Sequence, residues 1–336
     1  MFAFSKFLTA AGITATATLA STSALACGSC GCSLNADWGT QGLGSQAGWS
    51  FDARVDYLNQ NQLRAGPGLI NPAAAAIAPN TAQGGLAEVE QHTRTLTTTA
   101  TLDYNHGDSW GVSVSLPTIN RSHSTLGVGS DGSTFNTTNG AYVSQASGLG
   151  DMRVVGRYYG LADAKNWGLQ LGLKLPTGRT NQLANDGVTP VDAGLQLGTG
   201  TADAIVGAYI FDNLSQDWSY FAQTQYQSTF KSSVINNGSY RPGNSLNINA
   251  GVRYEGFESF TPTLQINTRF VQTDSGAAAD TFSTGGKLMY LSPGAVIPVT
   301  SAVSIHTNVQ LPIYQNLNGI QLAPRYILSA GVHVVF

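Results

Sequence analysis

From Trp49 onward the chain alternates apolar and polar positions with a period of two. Trp49, Phe51, Ala53, Val55 and Tyr57 interleave with Ser50, Asp52, Arg54 and Asp56. In a strand this order sends successive side chains to opposite faces. A half-buried helix repeats its apolar positions every third or fourth residue and does not produce it. The rhythm predicts further strands over residues 96–104, 110–116, 151–161, 167–175, 204–210, 218–226, 246–254, 264–270, 287–297, 303–311 and 326–336. Short connectors near 105–108, 162–164, 212–214, 256–257 and 298–300 alternate with longer stretches at 59–91, 120–148, 177–199, 231–243 and 273–283. Short turns on one side and long loops on the other are the habit of bacterial outer-membrane barrels. The expectation is all-β: a transmembrane antiparallel up-and-down β-barrel of about twelve strands, spanning residues 47–336, with both termini in the periplasm of a Gram-negative bacterium.

Composition sharpens this picture. Charged residues make up 10 % of the chain, against about 25 % in a soluble domain. A barrel wall facing lipid has no use for surface lysines and glutamates. The net charge of −3 argues against a nucleic-acid partner. Trp49, Trp110, Trp167 and Trp218 each open a strand on the side of the short turns, as an aromatic girdle at the headgroup level would. The terminal Phe336, on an alternating last strand, resembles the signal read by the barrel assembly machinery.

The first residues read as an export signal. Residues 1–6 are weakly basic, 7–20 are apolar and rich in Ala and Thr, and Ala24-Leu25-Ala26 fits signal peptidase cleavage. The apolar run is shorter than the roughly 20 residues a membrane-spanning helix needs. Residues 1–26 are therefore expected to be removed, leaving 27–46 as a periplasmic segment before the barrel. Lipidation of Cys27 is an alternative, although Ala24 stands where lipoprotein signals usually carry Leu. The only cysteines, Cys27, Cys30 and Cys32, crowd into this segment. Two readings compete: thiolate ligands for Cu(I) or Zn(II), or a disulfide and exchange with a periplasmic thiol partner. Asp37-Trp38-Gly39 is read as the seat of this tail at the barrel mouth.

Parity assigns a lumenal face: Asp52, Arg54, Asp56, Asp103, Arg153, Arg157, Lys174, Asp203, Arg253, Arg269, Lys287 and Arg325, with many Gln, Asn and Ser. Charges facing lipid are expensive. This inward set either fills a narrow barrel with ion pairs or lines a solute path with a mild preference for anions. His306 and His333 share the inward parity, but estimated pairing leaves them several residues apart, too far for joint metal ligation. His92, His106 and His123 lie in or beside loops without ligand spacing. Asn105-His106-Gly107-Asp108-Ser109 has residue types of a hydrolase but sits on a periplasmic turn in the wrong order, so no enzyme is expected.

Four segments remain: Gly148-Leu149-Gly150-Asp151, Leu173-Lys174-Leu175-Pro176-Thr177-Gly178, Tyr290-Leu291-Ser292-Pro293-Gly294 and Gln310-Leu311-Pro312-Ile313-Tyr314-Gln315. Read by chemistry they are structural. Pro176 ends ladder pairing where a strand leaves the membrane, and Asp151 suits backbone amides at a turn or a lumenal Arg. In this order they resemble the outer-membrane transporter-like β-barrel family labelled for meta-pathway phenol degradation, over most of the chain from Gly148 onward. The resemblance implies passage of small hydrophobic or aromatic molecules and is no evidence of phenol metabolism. Together these features point to an outer-membrane channel for small hydrophobic or anionic solutes, in contact with outer-membrane lipid. Its cysteine tail would act as plug, anchor or metal-handling element. The alternative is a structural barrel that docks a periplasmic redox or metal-handling partner.

Overall fold

The computed structural model describes residues 38–43, 47–77, 88–107, 109–128, 135–136, 143–161 and 163–336. Its first strands are β1 (Gly48–Gly66), β2 (Gly68–Leu69), β3 (Glu88–Asn105), β4 (Trp110–Val128), β5 (Phe135–Asn136), β6 (Val143–Leu149), β7 (Met152–Tyr158) and β8 (Trp167–Leu175). Then come β9 (Asp203–Asn213), β10 (Trp218–Thr229), β11 (Ser233–Ile235), β12 (Gly238–Tyr240), β13 (Ser245–Tyr254), β14 (Thr261–Val271), β15 (Gly286–Pro298) and β16 (Val303–Val335). Among the described residues helix is confined to the short α1 (Pro72–Ile77) and two 3-10 turns. Antiparallel pairing runs β1-β3-β4-β7-β8-β9-β10-β13-β14-β15-β16 and returns to β1.

The circuit closes because β16 doubles back. Residues 304–317 pair with β15, and 317–335 with β1. Across the fold Thr307 Oγ1 donates to Ser329 O at 3.2 Å, and Gln315 Nε2 to Pro324 O at 3.1 Å. Asn318-Gly319 makes the turn, with Gly319 at φ +56°, the dipeptide that tight hairpins favour. Eleven extended segments thus supply twelve staves. The even number brings both barrel ends to one rim, where Phe336 N donates to Trp49 O at 3.0 Å.

Cross-strand register gives each rung a single facing. Asp52, Thr101, Ser115, Arg153, Lys174 and Asp203 pair in sequence across six strands and all face inward. One position along, Leu102, Val114, Val154, Leu173 and Ala204 pair and face outward. Burial is inverted relative to a soluble protein: Leu171 is 71 % exposed while Asp203 is 1 % and Arg157 3 % exposed. At the rim holding the chain ends, Trp49, Tyr104 and Trp110 stack in series with centroids 4.9 and 5.6 Å apart. Trp218, Tyr254, Phe257 and Phe260 continue the belt elsewhere.

The structure departs from the sequence reading in four places. β1, β3 and β4 run for 19, 18 and 19 residues, so much of the loops expected at 59–91 and 120–148 is strand. The apolar outer alternation ends where the wall leaves hydrocarbon, while backbone pairing continues beyond it. The strand expected at 151–161 is the shorter β7, and a further strand, β6, lies at the end of the loop expected at 120–148, separated from β7 by Gly150-Asp151. Lys287 faces outward, paired with Phe270 on the face set by Met289, Leu291 and Pro293. It stands at the end of its strand, where a long cationic side chain can reach the interface. Arg325 also faces outward. An extra residue between Ile327 and Pro324, opposite Leu58 and Gln60, leaves both Arg325 and Tyr326 exposed, as a bulge does when it flips parity.

The wall is lopsided as a result. β8 has only 9 residues, and β6 pairs with β4 alone. Its other edge meets the loop 176–202, where Asn185 N donates to Val143 O at 2.9 Å.

The outward facing of Leu171 is directly testable. Leu171→Arg, at mid-strand, is expected to destabilise the lipid-embedded barrel by about 2–4 kcal/mol, read from chemical unfolding in vesicles. A neutral outcome would mean that this face does not meet hydrocarbon.

Candidate functional site

The interior holds a cavity of about 370 Å³. Alternation in β3 places Thr95, Thr97, Thr99 and Thr101 on one inner stripe of its wall, opposite Arg121, Ile119, Pro117 and Ser115 of β4. Asp52, Arg54, Asp56, Asp103, Arg153, Arg157, Lys174, Asp203, Arg253 and Arg269 all point inward by register. Most of these charges neutralise one another. Arg157 grips Asp103 through both Nη atoms at 2.7 Å, a bidentate pair of the strong kind. Arg54 meets Asp56 at 2.9 Å, and Asp56 also accepts from Ser329 Oγ at 2.6 Å.

A second cluster ties the loop 176–202 to the wall. Asp151 Oδ1 accepts from Gly178 N at 3.0 Å, and Asp151 Oδ2 from Thr199 N at 3.0 Å. Lys174 Nζ lies 3.1 Å from Asp151 and 3.0 Å from Asp203, and also donates to Thr199 Oγ1. Thr177 Oγ1 donates to Gly150 O at 2.8 Å. Gly178 and Gly198 pass so closely that a β-carbon on Gly178 would stand 2.6 Å from Gly198 Cα. The first two sequence motifs are therefore the two sides of one joint. Asp151 serves backbone amides and a lysine, not an arginine. Held this way, the loop turns Val191, Leu195 and Leu197 inward, where they are buried, and roofs a smaller cavity of about 250 Å³. β11 and β12 pack on it through Ile235 and Tyr240 against Ala193. At this end, outside the membrane-spanning wall, burial pushes the Asp274 and Asp280 carboxyls above their usual range.

The opposite end is closed by the chain's own leading segment. Trp38 enters the mouth, stacks on His333 with centroids 4.1 Å apart, and meets His306 edge-on at 5.4 Å. Its Nε1 donates to Asp52 Oδ2 at 3.2 Å. The turn Gly39–Gln41 then crosses toward the far wall, where Arg253 Nη1 donates to Gln41 O at 2.6 Å. Gly39 and Gly42 fit because they lack side chains: a β-carbon would stand 2.7 Å from the Arg157 guanidinium and 2.5 Å from the Phe211 ring. Gly42, at φ +77°, also holds a backbone that L-residues rarely adopt. His306 and His333, expected to lie several residues apart, converge on Asp52 at 2.8 and 3.9 Å. The β16 hairpin brings both side chains to one carboxylate, with His306 against Gly331.

Among the described residues no group of three His, Cys, Asp or Glu side chains, the Asp52 cluster included, is arranged to hold a metal ion. Cys27, Cys30 and Cys32, and with them the Cu(I) or Zn(II) expectation, lie outside the described residues. Trp38, expected from the sequence as part of the seat at the barrel mouth, is found there. The threonine stripe and the joint at Asp151 were the features hardest to foresee. The first is visible as Thr at every second position from 93 to 101, but its facing depends on register.

No protein-family model and no curated protein matches the chain. Among solved structures, an outer-membrane channel from Pseudomonas putida F1 superimposes with a TM-score of 0.57 at 12 % identity, covering 87 % of this chain and 96 % of that one. The fold is that of an outer-membrane β-barrel. The CymD monoaromatic hydrocarbon channel matches at TM-score 0.45 and 9 % identity, over 88 % of this chain and 90 % of that one. The β-domain of the Bordetella autotransporter BrkA also matches at 0.45 and 9 %, over 87 % and 100 %. Likenesses at that level, spread over different activities, carry no argument.

The joint at Asp151 generates a prediction. Asp151→Asn weakens two amide bonds and leaves Lys174 with Asp203 alone. A loss of about 2–4 kcal/mol in unfolding free energy is expected, together with faster proteolysis within residues 176–202. Unchanged stability would show that the loop is held by something else.

Proposed function

We propose that this protein is a passive channel for small solutes across the outer membrane, not an enzyme. The observation that carries the reading is a closed barrel with an apolar outer face, whose polar interior keeps a 370 Å³ cavity between two folded-in segments. An inert structural barrel has no need to retain such a space, since interiors otherwise pack densely. The solutes are small and hydrophobic or anionic. Threonine and serine hydroxyls and lumenal arginines line the path, with Leu58 and Ile327 as its apolar part. The shared fold with an outer-membrane channel of P. putida F1 supports the location and the activity.

In this reading the rim holding both chain ends faces the periplasm, and Phe336 is the feature read by the assembly machinery. Trp38 is then a periplasmic stopper, seated by its hydrogen bond to Asp52 and two ring contacts, with Gln41 behind it tied to Arg253. The cysteine segment continues from that stopper into the periplasm as its anchor or metal-handling extension.

Planar-bilayer conductance tests the proposal. The full-length mature chain is expected to pass small but measurable current. Trp38→Ala and deletion of residues 38–43 are each expected to raise it severalfold. Absence of current in all three proteins would overturn the channel.

A further inference from the structure

We propose that the lumen contains a binding site for a small organic monoanion, a carboxylate with a short apolar body, seated on Arg153. The inference deepens the channel reading and rests on it for the solute's passage, but its binding step stands separately.

Arg153 differs from the inward cations that have a carboxylate beside them. Lys174 lies between Asp151 and Asp203, Arg157 grips Asp103, Arg54 meets Asp56 and Arg253 lies 3.6 Å from Glu255. Arg153 instead donates from Nη2 to the neutral Gln225 Oε1 at 2.8 Å, and no carboxylate among the described residues lies within ion-pair distance of it. Asp203, the acid closest to it electrostatically, is already taken up by Lys174 at 3.0 Å, Thr201 Oγ1 at 2.9 Å and Gln227 Nε2 at 2.6 Å. Arg54 and Arg269 press on Arg153 as like charges. A half-buried guanidinium, beside like charges and with an amide for company, is costly to keep. An anion beside it relieves that cost.

The surroundings select the kind of anion. Arg153 reaches from β7 toward β10 past Gly172 and Gly207, which face the lumen in register with Val155 and Gln225 and present no side chain. The guanidinium fork matches a carboxylate in two parallel hydrogen bonds. The same cavity is lined by Leu58, Val155 and Ile327, an apolar patch in an otherwise hydroxyl- and amide-rich interior, which suits a short hydrocarbon body. A cation is disfavoured there. Asp52 is engaged by His306 and Trp38, Asp56 by Arg54 and Ser329, and Asp103 by Arg157.

Calorimetric titration of the detergent-solubilised full-length mature chain tests the site, with hexanoate and its neutral isostere hexanamide as probes. Wild type is expected to bind hexanoate about tenfold or more tightly than hexanamide. Arg153→Gln should abolish that preference, and Arg153→Lys should restore part of it. Equal affinity for the two probes in wild type would overturn the proposal, as would undiminished hexanoate binding by Arg153→Gln. If Arg153→Gln fails to fold, the wild-type comparison and Arg153→Lys decide. Conductance of the same preparation separates the two ideas. Hexanoate binding without current retains the site and removes the channel. Current without a carboxylate preference removes only the site.

Discussion

In hydrocarbon no water is present to satisfy a peptide group, so every backbone N–H and C=O in the wall needs a partner within the protein. A sheet meets that demand only by closing on itself, and the rest of this structure follows from the closure. The doubled-back β16 supplies the last two staves. Once the outer face is given to lipid, every charge in the wall is directed inward or to a rim. The rung from Asp52 to Asp203 is the clearest consequence: two acidic and two basic residues are stacked along one inner line, and Lys174 and Asp203 pair directly along it.

The closure also dictates where the wall can be incomplete. β1, β3 and β4 extend well past the short β7 and β8, so the upper part of β6 would present a bare edge. The loop 176–202 covers it, and the Asp151 joint holds that loop in place. Roof and edge cover are thus one element. At the other rim a single tryptophan with a six-residue described segment does the closing. The roof is tied in by the Asp151 joint, and the stopper by Trp38 on its two rings and Asp52 and by Arg253 on Gln41.

Much of the wall was legible in the chain. Period-two alternation is imposed residue by residue, because each outward position meets lipid, so Trp167 through Leu175 announces its strand without help from its neighbours. Errors arose where that local rule stops applying. Beyond Leu58 the outward positions of β1, Asn59 and Asn61, are polar while Leu63 and Val89 are buried inside, so the pattern fades while pairing continues. At Arg325 one inserted residue shifts parity, and only the register against Leu58 and Gln60 reveals it. At Lys287 the strand's facing is fixed by its neighbour β14.

The sequence by itself determined the class of fold, the number of passes and most inward-facing charges, because lipid on one side acts on each residue independently. Tertiary structure alone decided which charges meet. His306 and His333 converge on Asp52, Lys174 settles between two aspartates, and Arg153 is left with an amide. Those outcomes depend on distances across the lumen between residues far apart in the chain. Strand tilt, bulges and the inward loops set such distances, and no local pattern encodes them.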